Sequence, residues 1–222
     1  MSIKEKNLIF DFDGTLFDSA PEILECLKKV FHLNKLKSEN DFNESLIGPP
    51  IKEMLKKLVQ KKDIGMIDKI IKDFINLYDS EYCYKTKLYD GVKKTLEILA
   101  EEKQLILITN KRISPTEKML KNSGIIDFFE DYFSVDPSST SKKNKSILIK
   151  NTIKDLDINP DNCVYIGDTE GDFIASNNNG IKFIYAGWGY GEYVEQAHLH
   201  LNDIRELISV SYTHLRAHET SL

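Results

Sequence analysis

Asn7-Leu8-Ile9-Phe10-Asp11-Phe12-Asp13-Gly14-Thr15 opens on an unbroken apolar run and closes on two carboxylates and a glycine. A short run without polar alternation is the pattern of a strand buried on both faces, here with functional groups at its C-terminal end. Similar runs recur downstream. They are Leu105-Ile106-Leu107-Ile108-Thr109-Asn110, a shorter Tyr132-Phe133-Ser134-Val135, Cys163-Val164-Tyr165-Ile166-Gly167-Asp168 and Lys182-Phe183-Ile184-Tyr185. Between them, apolar residues fall at helical spacing: Val92, Leu96 and Leu99, then residues 115–122, then Ile147, Leu148, Ile153 and Leu156, then Phe173 and Ala175. Fully apolar strands alternating with helices predict an α/β fold, a Rossmann-like doubly wound parallel sheet with helices on both faces. A ligand in such a sheet sits beyond the carboxyl ends of its strands.

Residues 17–88 interrupt this alternation. Ile23, Leu24, Leu27, Val30 and Phe31 keep a helical period, with Pro21 suited to a first turn. Ile51, Leu55, Leu58 and Val59 continue it, followed by Ile67, Ile70, Ile71, Phe74 and Leu77. The stretch reads as an inserted all-helical block with no strand, leaving residues 1–16 and 89–208 as the core. Residues 209–222 follow no period and read as a disordered or non-native tail, in which His214 and His218 lack a third ligand at metal-binding spacing.

Composition narrows the class. The 222 residues contain 30 Lys and Arg against 35 Asp and Glu, a formal charge of −5 with no basic block, which argues against a nucleic-acid partner. No apolar run reaches the roughly 18 residues of a membrane span, and the N-terminus has no signal-peptide core. Cys26, Cys83 and Cys163 are widely spaced and flanked by apolar residues, as expected of free buried thiols in a reducing cytoplasm. These features predict a cytoplasmic globular protein without membrane partners; nothing in the chain specifies an oligomeric state.

Three of the apolar strands end in groups suited to one site. The first ends in Asp11 and Asp13, the second in Thr109 and Asn110, and the third in Asp168 with Asp172 four residues on. Convergence of four carboxylates in one crevice requires a cation, and all-oxygen ligation favours magnesium. Magnesium in turn suggests a phosphorylated small molecule as substrate. Asp11 would attack phosphorus, and Asp13, past a bend, would protonate the leaving oxygen and later deprotonate water. Thr109 and the amides around Gly14 and Thr15 would hold the phosphoryl oxygens, together with Asn110. A lysine of the 142–145 loop would neutralise charge, Lys145 being favoured because Ile147, Leu148 and Ile149 read as the inward start of a helix, with Lys143 its competitor. The competing explanation is that strand-end aspartates merely cap helices.

Phe10-Asp11-Phe12-Asp13-Gly14-Thr15-Leu16-Phe17-Asp18-Ser19 closely resembles the first motif of haloacid-dehalogenase-superfamily phosphatases. Ile108-Thr109-Asn110, a lysine, and Ile166-Gly167-Asp168-Thr169-Glu170-Gly171-Asp172 resemble the remaining three motifs in order. The resemblance implies Asp11 as nucleophile, Asp13 as acid/base, and Asp168 as a magnesium ligand with Asp11 and the Asp13 carbonyl, Asp172 supporting the metal site. It makes residues 17–88 a helical cap. Leu46-Ile47-Gly48-Pro49-Pro50 and Gly187-Trp188-Gly189-Tyr190-Gly191 are similar to the phosphoglycolate-phosphatase-like branch. Dehalogenases of the family lack the second aspartate, so Asp13 favours a phosphoric monoester hydrolase; phosphomutases keep it, which leaves an isomerase as the alternative, with a non-catalytic phosphate binder further behind. The branch often carries its third-motif lysine as Lys-Pro, and this chain does not.

Other signals are weaker. Gly187 to Gly191 lacks the spacing of a phosphate cradle, so Trp188 and Tyr190 are expected to pack the loop or touch the cap. Lys111 and Arg112 stand at the crevice rim as substrate contacts or exposed helix-start cations. Asp18 reads equally as cap or site residue, and His32, His198 and His200 as solvated or packed side chains.

Overall fold

The first apolar run becomes strand β1 (Asn7–Phe10), every residue of it buried, at the centre of a six-stranded sheet. The computed structural model describes residues 3–134 and 144–211. Two further strands, β4 (Gln104–Thr109) and β6 (Cys163–Gly167), flank β1 in parallel, with Phe10 opposite Leu107 on one side and Ile166 on the other. Outside them lie β5 (Asp131–Ser134) next to β4, and β7 (Lys182–Ala186) then β8 (Leu199–Leu201) beyond β6, all parallel, in the order β5-β4-β1-β6-β7-β8. The two-residue period of a strand sends Leu8 and Phe10 into one core layer with Leu107 and Ile166. Ile9 enters the opposite layer with Ile106, Ile108, Tyr165 and Phe183.

Helices α4 (Val92–Leu99), α5 (Ile113–Ser123) and α8 (Glu206–Ser211) bury Leu96, Leu120 and Leu207 against the first layer. Helices α6 (Lys145–Asp155) and α7 (Glu170–Asn177) cover the second through Ile149 and Ala175. The sheet therefore has the doubly wound α/β architecture that the alternation predicts. Strand β8 escaped the sequence reading because three residues, Leu199-His200-Leu201, carry too short a pattern to register. Residues 209–211 of the expected tail complete α8, and the rest of it lies outside the described residues.

The inserted segment folds as α1 (Ala20–Leu33), α2 (Ile51–Leu58) and α3 (Ile67–Ser80), whose buried residues join the first core layer. The expectation of no strand over residues 17–88 fails at its edges. Strands β2 (Phe17–Asp18) and β3 (Lys87–Leu88) pair antiparallel. The chain leaves and re-enters the core side by side, so its outgoing and returning backbones satisfy each other. The ring of Phe12 stacks on that of Phe17 at 4.4 Å, which ties this ribbon to the end of β1. All three cysteines are free and buried, as expected. Among the described residues no helix is long and apolar enough to cross a membrane.

Candidate active site

The backbone of Asp11 continues the ladder by donating its N–H to the Ile166 carbonyl at 2.9 Å, so Asp11 stands just beyond the carboxyl end of the central strand. Asp168 follows β6 in the same way, next door. Gly14 turns the chain with φ +82°, and a Cβ there would lie 2.2 Å from the Asp168 carboxylate. Only glycine combines that dihedral with that closeness. Thr169 caps α7 by accepting from the Asp172 N–H, while Asp172 accepts from the Thr169 N–H and hydroxyl. The capping explanation for this aspartate is thus correct as far as one of its oxygens goes. Its other oxygen faces the site.

Asn144 caps α6 by accepting from the Ile147 N–H and sets Lys145 in the first turn. Ile149, four residues on, shares that face and is buried, whereas Ile147 is 41% exposed. The expectation that residues 147–149 all point inward is therefore corrected: the i, i+4 pair of Lys145 and Ile149 turns the lysine inward. Lys142 and Lys143 lie outside the described residues.

Lys145 is 8% exposed and bridges two acids, its Nζ 2.6 Å from Asp11 Oδ1 and 2.5 Å from Asp172 Oδ1. Asp11, Asp168 and Asp172 each place a carboxylate oxygen within 4.8 Å of the others, and all three are buried. Burial pushes the Asp11 carboxyl well above its ordinary range, reinforced by Asp172 and Asp168 and opposed by Lys145. Burial and the Asp172 charge push Asp168 up to about 7, against the amides of Tyr190 and Gly191 that stabilise its ionised form. Burial also works against the Lys145 ammonium, but Asp11 and Asp172 outweigh it and hold the lysine charged. Three buried acids thus share one cation. An all-oxygen donor set with a deficit of positive charge suits a hard divalent ion, whose charge would draw both acids back to their ionised forms.

The fourth expected carboxylate is elsewhere. Asp13 Oδ1 accepts from the Ser19 hydroxyl at 2.5 Å and from Lys111 Nζ at 2.8 Å, so the structure brings three acids together and holds this one apart. The reason is the bend at Asp13-Gly14, which turns its side chain toward the inserted helices. Lys111 is buried rather than a rim cation, with its Nζ 4.8 Å from the ring centroid of Tyr78 in α3. Burial disfavours its charge, yet Asp13 and Tyr78 outweigh that and push its pKa up. Arg112 makes a two-point ion pair with Asp79, also in α3. Asn110 donates to the Gly48 carbonyl at 3.1 Å. Thr109 is buried at the end of β4 and its hydroxyl accepts from the Lys111 N–H, while the Thr15 hydroxyl points at Asp168 from 3.5 Å.

The glycine-rich segment does more than pack. The N–H groups of Tyr190 and Gly191 donate to Asp168 Oδ2 at 2.9 and 3.3 Å. The Trp188 indole donates to the Thr15 carbonyl, and the Tyr190 hydroxyl joins Asp18 to the first N–H of α1. Asp18 is accordingly an acceptor for Tyr190 and makes no direct cap. A Cβ on Gly191 would lie 1.9 Å from the Asp168 carbonyl oxygen, a clash that the alternating glycines avoid. His198 and His200 are packed, accepting from the Phe183 N–H and bonding the Val194 carbonyl respectively.

Two cavities share the 47–50 loop as a wall, and Lys145 and Asp172 line only the first of them. One, of about 770 Å³, leads to Lys145 and Asp172 past Asn110 and Thr169. The other, of about 430 Å³, has Asp13 and Lys111 in its wall and runs between the inserted helices and α5.

A family model described as haloacid dehalogenase-like hydrolase matches residues 8–186. A phosphoglycolate phosphatase of Colwellia psychrerythraea is 30% identical over 88% of this chain and 92% of its own length. One from Aquifex aeolicus is 27% identical over 82% and 85%. A solved haloacid dehalogenase-like hydrolase from Streptococcus pneumoniae superposes with a TM-score of 0.83, covering 92% of this chain and 97% of that one at 23% identity, a likeness of fold.

Proposed function

From the premise that the chain belongs to the haloacid dehalogenase-like hydrolases and is an enzyme of the phosphatase type, we propose that it hydrolyses a small phosphomonoester through an aspartyl-phosphate on Asp11, with Mg2+ as cofactor. The observation that carries the reading is the buried triad of Asp11, Asp168 and Asp172 around a single lysine at the ends of β1 and β6. Asp11, Asp168 and the Asp13 carbonyl would hold the magnesium ion, with Asp172 beside it. When bound, the ion supplies positive charge that screens the phosphoryl oxygens from the acids.

An Asp11 carboxylate oxygen forms the new bond to phosphorus as the ester P–O bond breaks. The departing alkoxide takes its proton from the protonated Asp13 carboxyl, two residues along the chain from Asp11 in the wall of the second cavity. Asp13 then accepts a proton from water as that water attacks phosphorus, releasing inorganic phosphate and restoring Asp11. Thr109, Asn110, Lys145 and the amide of Thr15 bind the transferring phosphoryl group, Lys145 from its position 2.6 Å from the nucleophile. The Gly14 N–H, expected among these donors, is instead given to the Phe17 carbonyl at 3.0 Å by the turn it makes. Phosphoglycolate, the substrate in the names of two relatives, enters the panel of candidates on their account. The test is phosphate release from an aryl phosphate and a metabolite panel, with magnesium and with chelator. Turnover that vanishes in Asp11→Asn and in chelator is expected; turnover equal in Asp11→Asn and the parent sinks the reading.

A further inference from the structure

The cavity beside Asp13 bears on the leaving group, since the group that protonates the departing oxygen must stand next to it. This space of about 430 Å³ is walled by Ile47, Met54, Ile71, Phe74, Ile75 and Tyr78. Its size lies in the range of pockets that enclose drug-sized molecules, well beyond what a two-carbon acid fills. The two cations that reach it, buried Lys111 and half-buried Arg112, are already committed, Lys111 to Asp13 at 2.8 Å and Arg112 to Asp79. The remaining basic residue of its lining, Lys52, is exposed to solvent. A carboxylate drawn into this space would lose its hydration against an apolar wall without a free buried cation among the described residues to receive it.

Resting on the phosphomonoesterase reading, we propose that the substrate is a phosphate ester of an apolar alcohol whose hydrocarbon part fills this cavity, and that a carboxylate-bearing leaving group such as glycolate is disfavoured. The phosphoryl group sits at Asp11 and Lys145, the ester oxygen faces Asp13, and the alcohol extends between α3 and the 47–54 segment. Lys111 and Arg112 serve in this arrangement as clamps on Asp13 and Asp79 and take no part in binding an acid. The chain would thus depart from the specificity in the names of its phosphoglycolate-phosphatase relatives at the cavity beside Asp13.

The experiment measures kcat/KM of the full chain with magnesium for straight-chain alkyl phosphates from methyl to hexyl and for 2-phosphoglycolate. The alkyl series changes apolar area at nearly constant leaving-group chemistry. Each methylene is expected to raise kcat/KM by about threefold or more, and hexyl phosphate to exceed 2-phosphoglycolate by at least about a hundredfold. Ile75→Arg, at a half-buried position of the wall, should lower hexyl phosphate turnover about tenfold and raise that of 2-phosphoglycolate. A flat chain-length series with phosphate release intact overturns the inference and spares the phosphatase reading. So does a preference for 2-phosphoglycolate that Lys52→Gln abolishes. No release from any ester above the Asp11→Asn background overturns both.

Discussion

Replacing Lys145 with methionine keeps most of the side-chain volume and removes the ammonium that lies 2.6 Å from Asp11 and 2.5 Å from Asp172. Three buried acids then face one another with no cation. Deleting one partner of a buried charged pair costs about 3–5 kcal/mol, because the opposite charge stays behind without compensation. For a chain of this length each kcal/mol moves the melting temperature by about 2–4 °C, so Lys145→Met should melt roughly 6–20 °C below the parent in chelator. Adding Asp172→Asn restores the parent's charge balance. Asparagine also keeps an oxygen for the Thr169 hydroxyl, now 2.6 Å from Asp172, so the cap of α7 survives. The double variant should recover more than half of the loss. Millimolar magnesium should stabilise Lys145→Met more than it stabilises the parent, since a cation bound only by the folded state takes over the missing charge. Neither rescue restores catalysis, which falls by about 10²–10³ when a charge on the transferring group is lost. Melting curves in chelator and in magnesium, with phosphate release on the same samples, decide the matter. A Lys145→Met that melts within about 2 °C of the parent in chelator refutes the charge argument, as does an Asp172→Asn addition that lowers stability further.

Three other outcomes follow from the same geometry. Gly191→Ala should lower stability by about 2–4 kcal/mol and loosen magnesium binding, because its Cβ would lie 1.9 Å from the Asp168 carbonyl oxygen, whereas Gly65→Ala, with open space around it, should be neutral or stabilising by up to about 1 kcal/mol; thermal melts and a magnesium titration compare them. Since the Asp168 carboxyl is pushed up to about 7, its proton stabilises the metal-free fold fully below about pH 4, and that contribution fades as pH rises through 7. In chelator the melting temperature should therefore fall between pH 5.5 and 8, and magnesium or Asp168→Asn should flatten the slope. Lys111→Met releases the Asp13 carboxylate from its 2.8 Å ion pair, and a misplaced acid matters most when the leaving group is poor. It should cost about a hundredfold on hexyl phosphate and under about tenfold on 4-nitrophenyl phosphate, read from kcat/KM on each.

How much of this was legible in the chain depended on whether the information was local. The central strands were readable because burial on both faces leaves Leu8-Ile9-Phe10 and Leu105 to Ile108 uniformly apolar, and parallel topology then carries Asp11, Thr109 and Asp168 to one end of the sheet. Asp172 was readable from a helix start beside those ends, whereas Lys145 was favoured on an inward 147–149 face that the structure replaces with the Lys145–Ile149 pair. The pairing of Lys111 with Asp13 was not, since 98 residues separate them and neither has a periodicity that names a partner. The same holds for Arg112 with Asp79 and for the two amides that donate to Asp168 from residues 190 and 191.

One of these contacts did leave a trace. Glycines at 187, 189 and 191 are alternate residues, and side chains at the last two would collide with Asp168 and with the Gly14 carbonyl. Read as a phosphate cradle the spacing fails; read as close approach of one backbone to a buried carboxylate it succeeds, and it also explains why amide hydrogens reach Asp168 at all. The same logic separates the two halves of the site. Groups proposed to meet phosphorus come from the ends of core strands, whose convergence any doubly wound sheet enforces. Asp13, proposed to meet the leaving oxygen, also follows β1, but what surrounds it comes from contacts between α3 and the loop after β4. Those contacts set the charge on the wall next to Asp13, with Lys111 and Arg112 both neutralised by acids that are near neighbours only in the folded chain. Counting basic residues along the sequence would have credited that wall with positive charge; pairing Lys111 and Arg112 in three dimensions leaves its buried part without a free cation, and the proposed preference for an alkyl over a carboxylate leaving group rests on that difference.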